Sequence, residues 1–251
     1  MNDKFCLDVH GPWAIWTRPE NRVERTSYDV MTPSGGRGLI ASICWKPGMV
    51  WGVSRIDVLN PIRRQVQHTN EVKLMHSVTQ IRTAMNSGKR IAIYPSECRE
   101  RRSSSVLMDV HYRIYCDFEF IPDAVPPEKR RPDFSREKYE NMFRRRASRG
   151  QCHHQPFLGH REFPAFFRLV DPNLEPATPI NDSRDLGIMF FDYDWDSGDV
   201  RPEPLWFHAV MDHGTVMIPD RHSPEIIRPS KLAENRTATQ VADVSDSVEG
   251  D

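Results

Sequence analysis

The stretch VERTSYDVMTPSGGRGLIASICWKPG, residues 23–48, holds a helix start, three glycines and a short apolar run. Thr32 is a side chain that caps helices, and Pro33 suits a first helical position. Leu39, Ile40 and Ile43 supply a face to bury, and Lys46-Pro47 closes the element. Gly35, Gly36 and Gly38 each cost this helix about 1 kcal/mol against alanine. Two physical reasons for them stand open. Glycines let backbone N–H groups and the positive end of the helix dipole come close to a phosphate, with Arg37 adding charge. Alternatively, they let the helix pack tightly on a sheet. The pattern is neither a phosphate-binding loop ending in Lys-Ser/Thr nor a strand-linked dinucleotide fingerprint.

On either side of this helix the sequence reads as strand. KFCLDVHG alternates Phe5, Leu7 and Val9 against Cys6, Asp8 and His10, and GMVWGVSRIDVLNP is rich in Val, Ile and Trp up to Pro61. Residues 62–105 are less regular, with a helix expected near 71–85, a short IAIY strand and the run ECRERRSSS, and read as an insertion or extended hairpin. VLMDVHYRIYCDFEF predicts a long strand with Val110, Tyr112, Ile114, Cys116 and Phe118 on one side and His111, Arg113, Tyr115, Asp117 and Glu119 on the other. After a Pro-rich basic loop, SREKYENMFRRRASRG predicts a helix capped by Ser135 and closed by Gly150, with Arg144, Arg145, Arg146 and Arg149 forming a cationic end. GHREFPAFFRLV adds a strand. The order β-α-β-(insertion)-β-α-β predicts an α+β, ferredoxin-like domain over residues 1–170, a plan shared with the RNA-recognition module. DLGIMFFDYDW and PLWFHAVMDHGTVMIP, the latter turning at Asp212-His213-Gly214, predict a small antiparallel β-sheet domain over 171–229. Residues 230–251 offer little to bury and are expected to form a disordered acidic tail.

The chain has 251 residues, 38% hydrophobic and 27% charged. No apolar run reaches the roughly 18 residues of a membrane span, and the N-terminus lacks a signal peptide's core, so a cytoplasmic protein is expected. Five cysteines without a C-x-x-C pair point to reduced thiols. The net charge of −1 hides a division: residues 1–170 carry 28 Lys and Arg against 18 Asp and Glu, and residues 171–251 carry 6 against 17. A basic portion suits a polyanion partner such as nucleic acid. Cys152-His153-His154 with His160 fits no standard zinc spacing, and DYDWDSGD lacks the glycine and terminal glutamate of a calcium loop. No metal site and no cofactor are expected.

The motifs TRPENRVERTSYDVMTPSGGRGLIASICWKP, NEV, DVHYRI with FEF, FRRRASRGQ, QPFLGHREFPA and RDLG, in that order, resemble the Cas-five subunit of type I-C CRISPR systems, the Cas-five-d or Dvulg branch, over about residues 4–229. The resemblance implies a protein that cuts precursor CRISPR RNA within each repeat and stays on the 5′ handle of the guide RNA, beside the backbone and large subunits of the surveillance complex. The implied chemistry is metal-independent: a ribose 2′-hydroxyl attacks its own 3′ phosphate, giving a cyclic phosphate and a 5′-hydroxyl. That reaction needs a base, a proton for the leaving oxygen and cations against the developing charge. The positions matching the family's catalytic residues are Cys44, Tyr115 and Asp117, none of the expected type, and an exposed aspartate would repel a phosphate. A non-catalytic handle-binding scaffold is therefore the alternative reading. On the polar side of the long strand, His111 is the first choice for proton transfer, because histidine ordinarily titrates near neutrality. Tyr115 would orient the ribose or donate a proton, and Lys46 or Arg113 would stabilise charge. Arg18, Arg22, Arg25, Ser34, Gly35, Gly36, Arg37, Arg101, Arg102, Arg113, Arg145 and Arg161 are the expected RNA contacts.

Overall fold

The structure is a computed structural model that describes residues 4–21, 23–194 and 202–230. In chain order it contains β1 (Phe5–Ala14), β2 (Arg25–Thr26), α1 (Pro33–Ile43), β3 (Met49–Val58), β4 (Arg63–Val72), α2 (Val78–Ser87), β5 (Arg99–Phe120), α3 (Arg136–Ser148), β6 (Phe166–Val170), β7 (Arg184–Asp194), β8 (Glu203–Asp212) and β9 (Thr215–Met217). Arg22 and the expected tail from residue 231 onward lie outside the described residues, as do Asp196 and Asp199 of DYDWDSGD.

The fold mixes helices with one large sheet, ordered β6-β1-β5-β3-β9-β8-β7, whose neighbours along this path are antiparallel. α1 begins as its sequence dictates, with the Thr32 hydroxyl accepting from the Gly35 N–H at 3.2 Å and Pro33 in the first turn. Leu39, Ile40 and Ile43 are buried against the strands, and α3 adds Tyr139, Phe143 and Ala147. The rings of Phe5, Trp51, Phe118 and Phe143 meet between sheet and helices, with Trp51 and Phe143 centroids 4.6 Å apart. A bulge between Val53 and Arg55 lets β3 place Val53 and Ile56 in the core while Arg55 and Asp57 face the other way.

Residues 62–105 depart from their reading in detail. β4 pairs with the first half of β5, Arg63 opposite Met108 through Val72 opposite Arg99, so the Arg/Ser run is strand. The helix lies at Val78–Ser87, opened by a Ser77/Gln80 capping box and closed by Gly88, and IAIY forms no strand. Ile91 and Tyr94 are exposed and have no partner strand, because β4 is already paired with residues 99–108. In the C-terminal part, the turn after Asp212 has positive φ at His213 and Gly214, the geometry of a two-residue hairpin loop, and β9 joins the resulting unit to β3.

The side of β5 expected to face water is covered instead. Arg113, Tyr115 and Asp117 are buried there, as are Asp8 of β1 and Asp57 of β3. The chain after β6 runs across this face: the Arg113 guanidinium donates to the Glu175 carbonyl at 2.6 Å, and the Ile180 N–H bonds the Val58 carbonyl.

Candidate nucleic-acid interface

On the helix-free face, strand pairing gathers a small polar site. Asp8 and His10, two residues apart on β1, project to the same side. His10 sits opposite His111 on β5 and opposite Phe166 on β6, with ring centroids 5.6 and 5.4 Å away. The Asp8 carboxylate accepts from His111 Nε2 at 2.8 Å and from Arg113 Nε at 2.9 Å, while Arg168 Nη2 stands 3.6 Å off. Burial pushes the Asp8 carboxyl up, but the hydrogen bonds from His111 and Arg113 outweigh it and hold it below the usual carboxylate range. His111 is about one-third exposed and opens, with His10, Asn60, Asp109 and Phe166, onto a cavity of 290 Å³. Arg113 is not free to meet a phosphate, since Asp8 and Glu175 engage it.

The mouth of α1 answers the question its glycines pose in two different ways. A Cβ on Gly35 would lie 2.5 Å from the Trp16 ring, and one on Gly36 would lie 3.2 Å from Val53 and 3.4 Å from Met31. Packing demands glycine at 35 and leaves little room for a side chain at 36. A Cβ on Gly38 meets nothing within 4 Å, and this residue lines an aromatic-walled cavity of 370 Å³ with Trp16, Tyr28, Ser34, Phe157 and Phe190. The Ser34 hydroxyl lies 3.2 Å from that of Thr32. Arg37, expected to serve an anion, is paired with Asp192 of β7 at 2.6 Å.

The family-matched positions do not form a constellation with His111. Cys44 is fully buried at the end of α1, its carbonyl accepting from Trp51 Nε1 at 2.8 Å, and burial pushes its thiol pKa up. Tyr115 is buried beneath the Arg55 guanidinium, and burial together with the charge of Asp57 raises its hydroxyl to about 12. Asp117 is not the exposed, phosphate-repelling carboxylate that its strand position suggested: it is buried and held by Arg136 through two 2.9 Å bonds. Lys46 is half-buried, with no ion pair among the described residues. Its carbonyl bonds the N–H of Met49, which faces Phe120. Phe120 is nine residues along β5 from His111, about 30 Å at roughly 3.3 Å per residue, so Lys46 and His111 cannot attend one phosphate. Around Cys44, by contrast, the charges of Arg146, Lys46 and Arg145 converge, the best cluster of cations at a family-matched position.

The remaining arginines divide by partner. Arg101, Arg145 and Arg161 are exposed without an ion pair among the described residues. Arg25 pairs with Glu71 at 2.5 Å, Arg102 with Glu100 at 3.0 Å, and Arg18 lies over the Tyr28 ring and 3.6 Å from Glu20. Partly exposed pairs of this kind contribute roughly 0–1 kcal/mol and can be exchanged for a phosphate. Sequence reading passed over Asp8, His10, Phe166, Arg136 and Arg168. The alternation in KFCLDVHG put Asp8 and His10 on one side, but only strand register brings them to His111.

The family model described as CRISPR-associated protein (Cas_Cas5), of the Cas5d group, matches residues 5–224. The chain is 37% identical over 234 residues to the CRISPR pre-crRNA endoribonuclease Cas5d of Mannheimia succiniciproducens, covering 91% of this chain and 100% of the relative. It is 35% identical to the protein of the same description from Thermus thermophilus, covering 90% and 95%. A solved structure described as that of a CRISPR-associated protein superposes with a TM-score of 0.65 at 22% identity, over 89% of this chain and 95% of that one, a likeness of fold. By these matches, which span nearly all of the chain, the protein belongs to the Cas5d family of CRISPR-associated proteins.

Proposed function

We propose that this chain is a precursor CRISPR RNA endoribonuclease of type I-C systems, working in the cytoplasm, that remains on the 5′ handle of the guide RNA beside the backbone and large subunits of the surveillance complex. One observation carries the reading: two relatives named pre-crRNA endoribonucleases align with 91% and 90% of this chain. The strand order β6-β1-β5-β3, with α1 and α3 on one face, supports reading residues 1–170 as a ferredoxin-like RNA-binding unit and 171–229 as a β-rich appendage. In this proposal the ribose 2′-hydroxyl attacks the adjacent phosphate without a metal ion. His111 moves a proton through the ring nitrogen that Asp8 leaves unbound, and Asp8 fixes the ring's orientation. Arg168, half exposed beside Asp8, is the nearest cation able to turn toward the phosphate.

A second reading, a non-catalytic handle-binding scaffold, is favoured by a specific observation: Cys44 and Tyr115 are buried and Asp117 is tied to Arg136. Purified protein incubated with its own repeat RNA in EDTA separates the two. Cutting by the wild type, reduced 10²–10⁴-fold in His111→Ala, is expected for a general acid or base. Undiminished cutting by that variant removes His111 from the mechanism, and tight binding by the wild type without cutting selects the scaffold. In either case affinity should fall steeply with salt, because lysines and arginines release phosphate counterions.

A further inference from the structure

The geometry points to a binding site for a divalent transition-metal ion of the zinc class, formed by Asp8, His10 and His111 on the helix-free face. Among the described residues this is the one group of three metal-ligating side chains whose donor atoms all lie within 4.8 Å of one another. Its origin is the regularity of a sheet. Asp8 and His10 stand two apart on β1, and His111 faces His10 across the β1–β5 ladder, so three donors rise from the corners of a small triangle on one surface. A carboxylate and two imidazoles are the ligand set of an open three-protein-ligand zinc site, and the 290 Å³ cavity lined by His10 and His111 leaves room for water at the fourth position.

The surroundings decide which ions fit. Asp8 Oδ2 is already held by the buried Arg113 at 2.9 Å, which fixes the carboxylate and leaves Oδ1 turned toward His111. Arg168 pairs with Glu175 at 2.8 Å and approaches Asp8 at 3.6 Å, so two arginines balance two carboxylates. With the local field near neutral, an ion must be held by coordinate bonds rather than by net negative charge. That favours imidazole-seeking ions such as Zn²⁺, Co²⁺ or Ni²⁺ and disfavours Mg²⁺ and Ca²⁺. On binding, the His111 proton moves from Nε2 to Nδ1 through solvent, and Nε2 and Asp8 Oδ1 exchange their mutual hydrogen bond for bonds to the ion. The inference concerns binding alone and does not depend on the proposed cutting reaction.

The test is titration of the EDTA-treated, dialysed full chain with Co²⁺, followed by its visible ligand-field absorption, and with Zn²⁺ by calorimetry, in the absence of RNA. The expected result is one equivalent bound, at least tenfold weaker binding in His10→Gln and in His111→Gln, an unchanged site in the His153→Ala/His154→Ala control, and no heat with Mg²⁺. Both glutamine substitutions preserve side-chain bulk, and circular dichroism verifies their fold. No binding by the wild type, binding unchanged by both glutamine variants, or binding lost in the His153/His154 control would each overturn the assignment.

Discussion

Replacing Gly35 and Gly38 by alanine, one at a time, should change stability differently although both lie in α1. Alanine in place of glycine within a helix gains about 1 kcal/mol. At Gly38 nothing lies within 4 Å of the new methyl, so Gly38→Ala keeps that gain, which for a protein of this size raises the melting temperature by about 2–4 °C. At Gly35 the methyl would sit 2.5 and 2.7 Å from two carbons of the buried Trp16 ring. Trp16 is 4% exposed and is not the loose end of a flexible side chain, so overpacking costs about 1–3 kcal/mol and cancels or reverses the gain. Urea unfolding followed by far-UV circular dichroism should therefore separate the two variants by about 1–3 kcal/mol, with Gly38→Ala above wild type. Because Gly38 opens onto the aromatic-walled cavity, the same substitution is expected to weaken binding of the repeat RNA while stabilising the free protein. Equal shifts of the two midpoints would refute the packing argument. Unchanged RNA affinity in Gly38→Ala would remove close ligand approach as the reason for that glycine.

Two further outcomes follow from the buried and paired groups. Lys4 and Arg136 hold Glu140 at 2.5 and 2.8 Å; burial pushes its carboxyl up, yet these bonds bring it below the ordinary value of 4.5. A depressed folded pKa contributes stability above the unfolded value and loses it as pH falls through the folded one. Glu140→Gln should thus cost roughly 0.5–1 kcal/mol at neutral pH, discounted because both cations are more than one-third exposed, and nothing in acid below its folded pKa. Denaturant melts at several pH values check this, and a pH-independent difference would contradict it. Thiol labelling with an aromatic disulfide should modify Cys152 alone in the native protein and all five cysteines in denaturant, since Cys6, Cys44, Cys98 and Cys116 are buried and burial lifts Cys6 to about 11. Rapid native labelling of a second thiol would show that the core opens more readily than its packing implies.

Local signals settled the elements with strong end markers. Thr32-Pro33 begins α1 and Ser135 begins α3, because capping is decided by a few neighbouring atoms. The alternation of β1 and the positive-φ turn at His213-Gly214 are equally local. Residues 62–105 were less legible, because β4 and the first half of β5 carry polar side chains on both faces and are strands through their mutual ladder rather than through burial.

The candidate site divided along the same line. Sequence alone named His111 and the basic character of residues 1–170, and the motifs of a whole family fixed kinship. Which polar row was truly solvent-facing was a tertiary matter: the chain after β6 meets Arg113, the Arg55 guanidinium lies over Tyr115 and Arg136 of α3 holds Asp117, and a period of two reports a side of the strand without saying what lies across it. Likewise the three glycines look alike in sequence, yet two face neighbouring side chains and one faces open space. Amino-acid order determines conformational preference and charge residue by residue. Contact between Asp8 and His111, 103 positions apart, exists only because the β1–β5 register carries them to the same place.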